Sequence, residues 1–349
     1  MKIEITPFDT LFFKDAKPFT MGEDTWATGS FPPSPAVIYG MLRTTYAAQN
    51  NISLANIEVA TKDLRINSLH LKTKNGLLFP YPADIFQPKE ENGKRGEINI
   101  MKLKRNSIIS NIDIIQYPFI LSPETNKKLE DNFDNDFFDK ISFDNYINSV
   151  NNDFLVTKRS ELIELEPKIG IARDKDSNQI YEGRLYRVGM LRIREGVKIL
   201  VDFENLELEL KGFLKFGAEN KMAHYEVSNE AKIKLPEIKN EFVKLYLATP
   251  AIFKNGSIPE FISNRNFDGI DFELLTMAIG KPLFIGGFDM KNRKPKPMKK
   301  AVPAGSVYYL KCSEAKVLVE KLHGKSISEI YPEQGFGICY CGTFNLDRT

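Results

Sequence analysis

An α+β chain of two split β-α-β units is the fold that this sequence of 349 residues predicts, and three observations predict it. Each half opens on a strand, passes into a helix and returns to strands, the order of a split unit. Strands of the second half alternate basic with apolar residues, the period-two pattern of antiparallel sheet. The length suits two domains at roughly 150 residues each. The expected division is 1–153, with inserted loops and an acidic segment, and 154–349, with a basic loop and a glycine-rich loop.

Taken in order, residues 1–13 read as a strand, with Ile3, Ile5, Phe8, Leu11, Phe12 and Phe13 around a Thr-Pro bend. Residues 14–33 read as a loop holding Lys14, Lys17, Phe19, the single tryptophan Trp26, and Phe31. Loops of this length are usually functional or disordered, and the aromatics argue for an ordered one. A helix follows: Ser34 is placed to cap it, Pro35 sits where a missing N–H costs nothing, and Val37, Ile38, Met41 and Leu42 form its apolar stripe. Gly40 in that stripe costs about 1 kcal/mol relative to Ala, which predicts close packing there. Residues 64–79 suggest strand up to a Pro80–Pro82 bend, and 88–106 suggest a polar loop. The segment 124–153 carries eight acidic residues against three lysines, with four phenylalanines, and reads as helical. Further on, 184–194, 197–203, 206–216, 221–228, 241–248 and 337–344 read as strands. Residues 268–279 read as a helix. A second helix follows Ser313, buries Ala315, Leu318, Val319 and Leu322, and stops at Gly324.

Composition narrows the function. Lysine and arginine number 48 against 46 acidic residues, a net +2 that points to no partner. No apolar run approaches the roughly 18 residues of a membrane span, and Met1 to Thr10, with Glu4 and Asp9, lacks a secretory pattern. Three cysteines, Cys312, Cys339 and Cys341, fit a reducing compartment. A cytoplasmic protein without membrane contact is therefore expected. Phosphate-loop, zinc-protease, serine-elbow and paired C-x-x-C motifs are missing from the sequence. With His70, His224 and His323 as its only histidines, the chain leans away from a self-contained enzyme, and no metal or cofactor is expected.

Charge is segregated along the chain. Residues 281–301 carry Lys281, Lys291, Arg293, Lys294, Lys296, Lys299 and Lys300 against Asp289 alone, a net +6 on a proline-stiffened backbone. Lysines so arranged can track phosphates, whose affinity comes largely from counterion release; a solvated loop is the alternative. Gly335-Phe336-Gly337 offers amides for close approach and a ring for stacking, or a turn with a buried aromatic. Lys14, Lys17, Phe19 and Trp26 suit single-stranded nucleic acid, or the rings fold onto the core. His224 can serve as general acid or base in a metal-free ribonuclease, or stand as a half-buried strand histidine.

These segments together resemble a known family. Phe12-Phe13-Lys14-Asp15-Ala16-Lys17-Pro18-Phe19 and Phe31-Pro32-Pro33-Ser34-Pro35, continuing through Tyr39-Gly40 to Leu42-Arg43, resemble the start of the RAMP-superfamily third subunit of the Cmr complex, the type III-B CRISPR effector. Gly170-Ile171-Ala172-Arg173-Asp174, Glu182-Gly183-Arg184-Leu185-Tyr186, and Lys296-Pro297 through Ala301-Val302-Pro303-Ala304-Gly305-Ser306-Val307-Tyr308 are similar too, as is the terminal Gly335-Phe336-Gly337. The sequence departs from the pattern at Gly217-Ala218-Glu219-Asn220 and at Phe288. The resemblance implies two ferredoxin-like (RRM-like) domains with insertions. It implies a non-catalytic subunit that binds the 5′ handle of CRISPR RNA beside the large polymerase-cyclase subunit and the first backbone subunit. On that footing Lys14, Lys17, Arg43, Lys296, Lys299 and Lys300 are expected to meet phosphates. Gly335 and Gly337 would give amides, Phe19, Trp26 or Phe336 would hold bases, and the acidic segment would face another subunit. The rivals are a guide-processing endoribonuclease of the same superfamily using His224, and a subunit that touches only proteins.

Overall fold

Ile3 and Ile5 alternate with Glu4 along β1 (Lys2–Pro7), which places the apolar pair on a core face and the carboxylate on the other. The computed structural model describes residues 1–13, 26–27, 29–90, 96–105, 117–130, 136–150, 153–173, 180–289 and 294–346; at 26–27, 171–173, 180–186 and 288–289 it describes the backbone alone. After β1 come α1 (Pro35–Gln49), β2 (Arg65–Thr73), β3 (Gly76–Pro80), β4 (Phe137–Asp139) and α2 (Lys140–Asn148). A long hairpin follows, β5 (Ile163–Arg173) with β6 (Ile180–Ile193), then β7 (Lys198–Glu204), β8 (Lys211–Lys215) and β9 (Met222–Val227). One antiparallel sheet of eight strands joins most of these, in the order Val156–Thr157, β4, β3, β2, β7, β1, β9, β8. Helix α1 crosses from β1 to β2, and its Ile38 and Leu42 enter the same core as Ile3, Ile5, Val201 and Tyr225.

The second sheet is built from β10 (Phe242–Leu247), β11 (Glu273–Ala278), β14 (Val307–Lys311) and β15 (Ile338–Thr343), with Lys325–Ser326 at its edge. Between β11 and β14 an exposed ribbon pairs β12 (Leu283–Ile285) with β13 (Lys299–Ala301). Helix α3 (Ala315–Leu322) covers one face, where Leu318 and Leu322 meet Val243, Leu245, Cys339 and Cys341. From the opposite face Tyr246, Tyr309 and Tyr340 join the core of the first sheet, so the two sheets share one apolar interior. In both sheets four strands stand in the spatial order fourth, first, third, second: β9-β1-β7-β2 and β15-β10-β14-β11. The crossover between β7 and β9 carries strand β8 where a split unit would place its second helix.

The molecule is thus mixed α/β, rich in sheet, with few helices. Several expectations change. The boundary expected at 153 and 154 falls inside the first sheet, because β7 and β9 complete the flanks of β1; the sheets part between 227 and 242. Residues 270–271 and 273–278 are strand rather than helix. Pairing with β14 decides this, because Leu274 and Thr276 gain ladder partners that an isolated helix lacks. Gly40 has no atom within 4 Å of where a side chain would stand, so close packing is not its reason. Ser34 precedes α1 as expected, yet its hydroxyl makes no capping bond. No helix among the described residues is long and apolar enough to cross a membrane.

Two groups on the non-helix face of the first sheet set its behaviour in acid. Burial pushes the Glu4 carboxyl up, but hydrogen bonds from Lys198 (2.8 Å), Lys72 (2.7 Å) and Ser228 (2.7 Å) outweigh that and hold it at about 2. Burial lowers His70 to about 4; its Nε2 lies 2.8 Å from the Tyr340 hydroxyl. A buried neutral histidine stabilises fully above its ordinary 6.5, and that contribution is lost from pH 6.5 down to about 4. The Glu4 contribution is lost from 4.5 down to about 2. Stability should therefore fall on acidification below pH 6.5. In a His70→Gln variant, denaturant unfolding followed between pH 6.5 and 4 should show a flatter decline.

Candidate nucleic-acid interface

The ribbon β12–β13 is where the basic segment of the sequence comes to lie. Its register sets Leu283 opposite Ala301, Phe284 opposite Lys300 and Ile285 opposite Lys299, and the Lys296 amide donates to the Gly287 carbonyl (2.9 Å). Lys281, Lys294, Lys296 and Lys300 are exposed and Lys299 is half-buried. Among the residues whose side chains are described, Lys281, Lys296, Lys299 and Lys300 have no ion-pair partner, and Lys294 stands opposite Asp289 in the backbone register of the ribbon. Phe284 and Met298 are each about half exposed beside them. Cations without counter-charges around bare apolar side chains suit a ligand with phosphates and flat apolar faces. Lys291 and Arg293 lie outside the described residues, as do Lys14, Lys17 and Phe19. Trp26 is described by its backbone, which pairs in parallel with Arg187 of β6.

The glycine-rich segment supports this ribbon from beneath. Phe336 is fully buried with Ile252 and Ala301, the residue at the ribbon's foot, and Val302 is hydrogen-bonded in both directions to Ala251 (2.8 and 2.9 Å). The Gly335 amide donates to Pro332 (3.2 Å) and the Gly337 amide to Pro250 (2.8 Å). Thr249 donates to the Gly335 carbonyl (2.8 Å), and Ser326 to that of Phe336 (2.6 Å). The expectation that Phe336 holds a base and that Gly335 and Gly337 offer amides is therefore corrected. In this arrangement the ring has no free face and both amides are engaged. Arg43 is held from one side: its Nε donates to Thr61 (2.7 Å), and the guanidinium carbon lies 5.7 Å from the Tyr39 ring centroid.

His224 stands on β9 between two rings, 6.4 Å from Phe8 and 5.8 Å from Phe213. Of the acidic segment, residues 131–135 and 151–152 lie outside the described residues. Residues 137–148 of it form β4 and α2, and the segment exposes Ile141 and Val150. Cys312, Cys339 and Cys341 are buried in the second core. No cluster of three or more His, Cys, Asp or Glu among the described residues is placed to hold a metal ion.

Two constellations were not anticipated. One is buried: Tyr146 donates to the Asp84 carboxylate (2.7 Å), Tyr309 donates to the same oxygen, and the Lys244 ammonium sits 3.5 Å from the Tyr146 ring centroid. No sequence pattern links Asp84 to Lys244, because one lies in a loop after β3 and the other on β10. The other is Phe8 with Phe213. Its signal was present in Lys211-Gly212-Phe213-Leu214-Lys215, where alternation sends Phe213 and both lysines to one face.

Together the two packed sheets and the basic ribbon define a sheet-rich mixed α/β protein with a surface suited to a polyanion. The chain belongs to the Cmr3 family of CRISPR-associated proteins: the family described as CRISPR-associated protein (Cas_Cmr3) matches residues 3–344. It is 23% identical over 319 residues to the CRISPR system CMR subunit Cmr3 of Saccharolobus solfataricus, covering 88% of this chain and 85% of that protein. Its fold is similar to a chain in the cryo-EM structure of the type III-B Cmr-beta bound to cognate target RNA. The TM-score is 0.52 at 18% identity, over 92% of this chain and 89% of that one. A second cryo-EM structure of Cmr-beta, bound to cognate target RNA and AMPPnP, gives 0.53 at 19% identity with the same coverage. At such identities the likeness speaks for the fold.

Proposed function

We propose that this chain is a non-catalytic subunit of a type III-B CRISPR Cmr complex that holds the 5′ handle of CRISPR RNA. The observation that carries this reading is the β12–β13 ribbon, with its exposed lysines around exposed Phe284 and Met298. Family membership supplies the context, and the matched Cmr-beta structures were determined with RNA bound. The strand order of each sheet supports two ferredoxin-like units. The acidic segment, with Ile141 and Val150 bare to solvent and Leu155 just beyond it, offers a face for the large polymerase-cyclase subunit or the first backbone subunit. His224 has ring contacts to Phe8 and Phe213, a setting for stacking rather than for proton transfer.

The test is handle-RNA affinity in the assembled complex. Changing Lys296, Lys299 and Lys300 together to Ala should weaken binding at least ~10-fold at moderate salt. It should also reduce the slope of log affinity against log salt by about 2, since each single-strand phosphate contact contributes roughly 0.7. An unchanged slope would remove the ribbon from the interface. Cleavage of repeat RNA by the purified chain, abolished by His224→Ala, would favour the endoribonuclease instead.

A further inference from the structure

The geometry assigns a second, separate RNA contact to the outer edge of the first sheet: Phe8, Phe213 and His224 form a stacking platform for unpaired bases, and Lys211 and Lys215 hold the backbone beside it. This inference rests on the reading that the chain binds guide RNA. Phe8 is 60% exposed and Phe213 63%, their ring centroids lie 5.7 Å apart, and His224 completes the triangle. β8 is the last strand of its sheet, so among the described residues no strand neighbours the outward side of this edge. The register brings the rings together, because His224 lies opposite Phe213 on one side and Thr6 on the other. Two large rings left in water at one spot lose burial that a flat partner would restore.

Charge argues that the partner is a nucleic acid. Alternation places Lys211 and Lys215 on the same face as Phe213, about 7 Å to either side. Both are exposed, and neither has an ion-pair partner among the described residues. Three carboxylates near this edge pair with other lysines: Glu226 with Lys198 (3.1 Å), Glu219 with Lys168 (2.6 Å), and Asp9 with Lys221. Rings flanked by exposed cations are the combination that single strands use, with bases on the rings and phosphates on the lysines.

The experiment is photo-crosslinking in the assembled complex, loaded with a guide RNA substituted with 5-iodouridine, followed by peptide mapping. Crosslinks at Phe8 or Phe213 are expected. Phe213→Leu should lower their yield about 10-fold, the effect of losing one stacked base, and Phe213→Trp should restore it. Lys211→Ala with Lys215→Ala, which leaves the rings in place, should reduce the yield at low salt and flatten its decline as salt rises. Crosslinks confined to the 283–301 ribbon would overturn the platform and leave the handle reading standing. Crosslinks at Phe8 and Phe213 with none at the ribbon would do the reverse. RNA crosslinked nowhere on the chain would overturn both. Benzoylphenylalanine at position 213 that captures a protein subunit and no RNA would make the patch a protein interface and end the proposal.

Discussion

Asp84→Ala should lower folding stability by about 3–5 kcal/mol, the usual cost of breaking a buried charge pair. Asp84 is fully buried, and one of its carboxylate oxygens accepts from both the Tyr146 and Tyr309 hydroxyls. Removing it strands those two donors and takes away the negative charge that favours the ammonium form of Lys244, which sits over the Tyr146 ring. The loss should be much smaller when Lys244→Met is present as well, because the uncompensated charge goes with it. Denaturant unfolding of the two single variants and the double variant measures the coupling directly. Simple additivity would show that the groups do not communicate.

The same site gives a signed pH dependence. Burial lowers Lys244 from 10.5 to about 8, against the opposing charge of Asp84. Between those two values the unfolded chain binds a proton that the folded chain does not, so this site stabilises increasingly as pH rises from about 8 to 10.5. Buried tyrosines and cysteines titrate in the unfolded state over part of that range, so the informative quantity is wild type minus Lys244→Met. That difference should grow with pH by up to about 3 kcal/mol. A flat difference would place the ammonium in a wetter setting than its burial indicates.

Gly337→Ala is the second large effect, expected at about 2–3 kcal/mol from backbone strain alone and more with the clash. Gly337 has φ +68°, and a side-chain carbon there would stand 2.5 Å from the Ser328 backbone nitrogen. Backbone cannot swing aside as a flexible side chain can, and Ser328 is itself bonded to Ile252 (2.9 Å). Because this turn underlies Ala301, handle-RNA affinity should fall together with thermal stability. A variant of normal stability and weakened affinity would instead point to direct RNA contact by the glycine segment.

Much of the fold was legible in order. Pro35, the stripe after it, β10, α3 with its stop at Gly324, and β15 all stand close to their expected places, because each follows from local periodicity and turn chemistry. Residues 273–278 were misread because Leu274, Leu275 and Met277 satisfy both helical and strand spacing, and only the partner strand β14 settles the choice. Of the expected site, Lys296 and Lys300 are exposed and Lys299 half-buried, without ion-pair partners among the described residues. Phe336 is a floor beneath them rather than a ligand-facing ring. Burial of an aromatic depends on what packs over it, and a G-x-G triplet carries no record of that.

Family membership, the basic stretch and the strand-rich character follow from residue order alone, since motif, charge and periodicity are local properties of the chain. Tertiary structure decided where the sheets divide, that the glycine segment is locked to its own chain, and that Asp84 meets Tyr146 and Tyr309. It also decided that Phe8, Phe213 and His224 share one exposed edge. Each of these outcomes brings together residues distant in sequence, and contact between such residues is set by packing and strand register, which no local pattern encodes.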